Sequence, residues 1–156
     1  MVPVVSEAPV LAVHIDTLAR VAQARLWDHK PIIREKWGIA EGDYDGDLNI
    51  EEPGTGRSVY YDMWSNMHLG FVGRAAGFDT PTHLEGQNLP IPGVGETGRS
   101  DDIATSWGAR MYDRYGEDMT EAEFTHAVTE MIDEMGTEKV NAPDCTPDID
   151  LKYSNQ

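Results

Sequence analysis

Apolar residues first recur at helical spacing near the N-terminus, where Ile15, Leu18, Ala22 and Leu26 share one stripe and Asp16 or Thr17 stands near its start. Residues 1–10, with two prolines, read as an arm. Pro31 then opens a short helix, PIIREKWG, that Gly38 closes. A polar loop follows, IAEGDYDGDLNIEEPGTGR, over residues 39–57. The next periodic segment starts near Ser58. Wound at about 100° per residue, it gathers Tyr60, Met63, Trp64, Met67, Phe71 and Phe78 on one face. Asp62, Asn66, Gly70, Gly73 and Gly77 fall on a second, narrow stripe, and His68 lies on neither. Those glycines either let another backbone approach closely or end the helix early.

Residues 79–100 read as a second long loop, rich in proline and glycine, of the kind that often walls a site. Ser100 or Asp101 caps a helix that carries Ile103, Trp107, Met111 and Tyr115 and stops at Gly116. Thr120 and Glu123 form a capping box for the last helix. Its stripe is Phe124, Ala127, Val128, Met131, Ile132 and Met135, with Gly136 as the stop. The tail, residues 137–156, is Pro/Asp-rich and reads as irregular. Strand signals are poor. The pattern therefore predicts one compact, mainly α domain over residues 1–156, with α+β as the alternative. It has several helices and two long loops, and a lysozyme-like arrangement is one form it could take.

Charge changes this picture more than composition does. Twenty-eight acids against 12 bases give a net charge of −16. Such a chain is repelled by nucleic acid unless a basic patch compensates, and the bases here are scattered. The sign suits solubility, or a neutral or cationic target such as a cell wall. No apolar run approaches the ~18 residues of a membrane span. The start, MVPVVSEAPVLAVHID, lacks the basic region of a signal peptide. A secreted protein would then be present as a mature form, or as the toxin end of a longer chain. One cysteine, Cys145, cannot make an internal disulfide.

Few motifs carry chemistry. Asp43, Asp45, Asp47, Asn49 and Glu51 alternate as in a calcium loop, but the glycine precedes Asp47 and the twelfth position is Gly54, so a solvated loop is the default. The five histidines show no zinc spacing, and no phosphate-binding glycine loop or GxSxG elbow is present. No metal or cofactor is called for. Carboxylates remain. Glycoside hydrolysis needs a protonated acid beside an apolar wall and an ionised partner. Glu35 lies beside Trp37, Ile32 and Ile33, which could desolvate it, though Arg34 and Lys36 flank it. Asp62 heads the glycine stripe, one turn from Asn66, whose amide could orient a water or an N-acetyl group. Asp28 stands between Trp27 and Lys30. Asp101 and Asp102 read as helix caps.

Three segments in order, WDHK at 27–30, YYDMWSNMHLGFVGRAAGF at 60–78 and SDD…GARMYDRYG at 100–116, resemble the polymorphic toxin type 44 domain. The resemblance spans roughly residues 22–135. It implies an antibacterial effector or a secreted lytic domain. Matching positions are Trp27, Asp28 and Lys30; Asp62, Asn66, His68, Gly70, Gly73 and Arg74; and Asp101 and Asp102. Glu35 has no place in that pattern.

Three functions are in view. The first is a muramidase-like glycoside hydrolase acting on peptidoglycan, with Asp62, Glu35 and Asp28 as catalytic candidates. Asn66, His68, Lys30, Trp27, Tyr60 and Arg74 would bind substrate, and the aromatic rings would stack on sugars. The second is a metal-independent ribonuclease toxin, with His68 as acid/base and Lys30 and Arg74 on the phosphate. The third is a non-catalytic wall-binding module. An immunity protein is an expected partner of a bacterial toxin; nucleic acid (outside the second function) and membrane are not.

Overall fold

The computed structural model describes residues 30–38, 49–52, 55–87, 97–145, 149 and 151–153. Along them run α1 (Lys30–Trp37), β1 (Asn49–Glu51), β2 (Arg57–Tyr60), α2 (Met63–Ala75), α3 (Thr80–Gln87), α4 (Arg99–Tyr115), α5 (Glu121–Asn141) and β3 (Leu151–Tyr153). The fold is mainly α, with one small antiparallel sheet in the order β1-β2-β3. The arm 1–10, the stripe from Ile15 to Leu26 and most of the acidic loop lie outside the described residues, as do Trp27 and Asp28.

Helix α4 is the axis of the domain, because its two sides suit different neighbours. One side is oily: Ile103, Trp107 and Met111 join Val128, Met131, Ile132 and Met135 of α5, Met63 and Met67 of α2, and Val59 and Ile149. The other side is bare. A Cβ at Gly70 would lie 1.9 Å from the carbonyl oxygen of Thr105, and one at Gly108 would lie 1.9 Å from that of Met67. The two glycines therefore let α2 and α4 touch backbone to backbone, one of the two outcomes the glycine stripe predicts. Gly77 shows the other, ending α2 with φ of +95°.

The hairpin of β1 and β2 is pinned to α5 by a buried charge. Glu52 is 2% exposed. Its carboxylate accepts from Arg57 Nε at 2.7 Å, Thr129 Oγ1 at 2.7 Å and Thr55 Oγ1 at 2.9 Å, and Arg57 also bonds Asp133. Burial pushes the Glu52 pKa up, but those hydrogen bonds and the Arg57 charge outweigh it and hold it below the ordinary value.

Several boundaries differ from the sequence reading, each for a physical reason. The helix expected from Ser58 starts at Met63. Arg57–Tyr60 are instead the central strand, with Val59 opposite Ile50 on one side and Leu151 on the other. Two flanking strands outweigh a helical start. The loop 79–100 contains α3, where Asp79 Oδ1 accepts the Thr82 N–H at 2.9 Å and Pro81 lies in the first turn. Helix α4 begins at Arg99 rather than behind a Ser100 or Asp101 cap. Gly136 does not stop α5, which runs to Asn141. A glycine inside a helix costs only about 1 kcal/mol, and the Arg99–Glu138 pair holds the next turn at 3.1 Å. The tail is not wholly irregular either, since β3 completes the sheet.

Candidate active site at the head of α2

The turn Tyr61–Asp62 joins strand β2 to helix α2. Asp62 occupies the N-cap position with helical angles, φ −67° and ψ −25°, and its side chain makes no cap bond. Its backbone oxygen accepts the N–H groups of Ser65 and Asn66 at 3.0 and 3.2 Å. The carboxylate does not perform the usual capping task of Asp. It is half-buried, with Oδ1 shielded from solvent.

One turn on, Asn66 is 9% exposed. Its Nδ2 donates to Asp101 Oδ1 of α4 at 2.5 Å. Asp101 Oδ2 accepts the Gly98 N–H at 3.0 Å, so the same carboxylate holds the start of α4. Deeper in, Thr105 Oγ1 lies 3.3 Å from the Asn66 carbonyl oxygen and 3.1 Å from Gln87 Oε1 of α3. Its single hydroxyl proton can go to only one of them at a time. A buried polar line thus crosses α2, α4 and α3. His83 flanks it, edge-on to Phe78 at 5.8 Å. The imidazole fits because Gly73 has no side chain: a Cβ there would lie 1.9 Å from His83 Cε1.

The residues singled out from the sequence do not all converge here. Asp62 and Asn66 do, and Asp101 joins them. Asp101 reaches back to Gly98 as a cap should. His68 is half-buried on α2, about 200° round the helix from Asn66. Tyr60 lies in β2, 4.9 Å from the ring of Tyr61. Both pack in a small cluster with Ile50, Trp64 and Ile33 of α1, while Arg34 stands 6.0 Å over the Tyr61 ring. So α1 docks on the corner that precedes Asp62. Glu35 on that helix is exposed. Ile33 turns into the Tyr61 cluster and Ile32 is 59% exposed, so neither isoleucine builds the wall expected to desolvate Glu35. Arg74 closes the far end of α2, bonding Asp113 at 2.7 Å and the Phe78 carbonyl at 3.2 Å. The side chain of Lys30 lies outside the described residues.

Sequence reasoning missed Thr105, His83 and Gln87. The glycine stripe carried a trace of them, since each bare position marks something that must come close. Among the described residues, no group of three or more His, Cys, Asp or Glu side chains is arranged to hold a metal, and no helix is long and apolar enough to cross a membrane.

The stretch that carries α1, the hairpin, α2, α3 and nearly all of α4 is also the stretch with a known likeness. The chain belongs to the bacterial toxin 44 family, whose model matches residues 17–114. No match was found among curated proteins or among solved structures.

Proposed function

We propose that this toxin domain is a peptidoglycan-degrading glycoside hydrolase of the muramidase type, acting outside the cell that makes it. The observation that supports it is the head of α2, where Asp62 makes no cap bond and lies one turn from Asn66 with Oδ1 shielded. Tyr60 and Trp64, both half-buried, flank the same turn with flat apolar surface of the kind that stacks on sugars. The acidic surface suits a wall target better than a polyanion.

In this reading Asp62 gives a proton to the leaving glycosidic oxygen. Asp28, from the WDHK segment, is the ionised partner, and Glu35, exposed on α1, is the weaker candidate. Water supplies the hydroxyl that ends on the anomeric carbon. Asn66 orients the sugar or that water, and His68, about 200° round α2 from it, is not asked to reach the same point. Tyr60 contacts the sugar, and the WDHK segment contributes Trp27 and Lys30 as further binding residues. No cofactor enters. Membership in a toxin family makes an immunity protein a plausible partner. The ribonuclease alternative is weakened by the net charge of −16 and by Arg74, which is already engaged by Asp113.

Turbidity loss of purified bacterial walls, with mass analysis of the released fragments, tests the proposal. Muramic acid at new reducing ends is the expected product, and Asp62→Asn should lose at least about a hundredfold in rate. Free peptides would redirect it to amidase or peptidase chemistry. Full activity in Asp62→Asn, or cleavage of total RNA in place of walls, would overturn it. Wall binding without turnover would leave a binding module instead.

A further inference from the structure

Asp101 has so far been a helix cap, but it bonds Asn66 with the oxygen that the cap does not use. Its Oδ2 takes the Gly98 N–H and its Oδ1 takes Asn66 Nδ2. An aspartate in the first turn of a helix is favoured in its ionised form, and an ionised carboxylate can only accept. The Asn66 amide therefore has one orientation. Its NH2 faces Asp101 and its Oδ1 faces away, where no donor among the described residues reaches it. Asn66 and Asp62 are four residues apart on one helix and so face the same side.

We infer that Asp101 is a positioning residue, which fixes Asn66 as a hydrogen-bond acceptor beside Asp62. The site then takes a donor at that point: the attacking water, or the acetamido N–H of an N-acetyl sugar. This rests on the function proposed above for Asp62 and Asn66. A mere tie between helices needs no particular polarity, and that difference makes the inference testable.

Asp101→Asn separates the two roles. The new side chain can still accept the Gly98 N–H through its oxygen, so the cap survives. Its NH2 then faces Asn66, which must reverse and present NH2 to the site. We expect this variant to melt within a few degrees of the parent and to lose about ten- to a hundredfold in activity on soluble peptidoglycan fragments. A loss in kcat identifies water as the donor's source, and a rise in KM identifies the sugar. Combining it with Asn66→Ala should cost little beyond Asn66→Ala alone. A second readout needs no activity: the side-chain amide NMR signals of Asn66 should move as Asp101 is protonated by acid, and should shift in Asp101→Asn. Wild-type kcat and KM in a folded Asp101→Asn would overturn the inference. So would Asn66 amide signals in the parent protein that ignore the titration, which also decides the matter if the variant fails to fold. Absence of wall lysis by the parent protein would sink the proposed function, while the NMR result would still report on the Asp101–Asn66 link.

Discussion

Helix α4 faces α2 and α5 in two different ways. Toward α2 the contact is backbone on backbone, made by Gly70 and Gly108, with a polar line of Asn66, Thr105 and Gln87 buried beside it. Toward α5 the contact is thick and oily, built on Trp107, Met111, Met131 and Met135. Its edge carries ion pairs: Arg99–Glu138, Arg110–Glu134 and Arg114–Glu130. Methionine is unbranched and adapts to its surroundings, so the second contact can absorb change. At Gly70 and Gly108 the first has no slack, since nothing lies between the chains there to yield. The candidate site is built on the contact without slack, as a site that must hold Asn66 and Asp62 in place requires.

Three measurements would break or sharpen that contrast. The largest effect is expected at the glycine contact. Gly70→Ala or Gly108→Ala sets a methyl 1.9 Å from a carbonyl oxygen, so the helices must part. Overpacking of this kind should cost about 3 kcal/mol, or about 10 °C in Tm for a domain of this size. A melting temperature within about 2 °C of the parent would mean that the contact is not rigid.

An intermediate effect is expected where the buried charge of Glu52 ties the hairpin to α5. Glu52→Ala removes the acceptor of Arg57, Thr55 and Thr129, and should cost about 2 kcal/mol. The sign with pH is fixed. The folded pKa of Glu52 lies below its ordinary 4.5, so its contribution is fully present above that value and is lost as pH falls through the folded pKa. Melting followed from pH 7 downward should show the gap between variant and parent narrowing as pH falls below 4.5. Parallel curves would remove Glu52 from the account.

The smallest effect belongs to the rim. In Arg110→Gln the guanidinium that stands 4.9 Å over the Trp107 ring and pairs with Glu134 is lost. Half-exposed pairs of this kind contribute under about 1 kcal/mol. Denaturant titration should show a shift of that size, reduced further in high salt. A loss comparable to that of Gly70→Ala would erase the contrast between the two sides.

The elements with local signals were legible in the chain. Gly38 closing α1, the Thr120–Glu123 box opening α5 and the oily stripes of α4 and α5 are all written in neighbouring residues. The glycine stripe left close approach and an early helix end equally open, and did not say what would come close. Strand β2 was missed because Ser58, Val59 and Tyr60 continue a helical pattern equally well, and only pairing with β1 and with the distant β3 decides between them. Helix α3 was hidden under a proline-rich loop, although Asp79 followed by Thr80-Pro81 is a legible N-terminus. At the site, Asp62 and Asn66 could be placed on one face by counting. That Asn66 meets Asp101, that Arg74 is taken by Asp113 and that Glu35 points outward could not, because each depends on how separate helices dock.

The family segment ends at Arg114, seven residues before α5 begins. Yet α5 covers Ile103, Trp107 and Met111, and β3 borders the strand that leads into Asp62. A fragment trimmed to the shared stretch would leave that oily flank of α4 open to water and to other chains. In this chain, the residues that close the interior behind the candidate site lie outside the stretch that carries it.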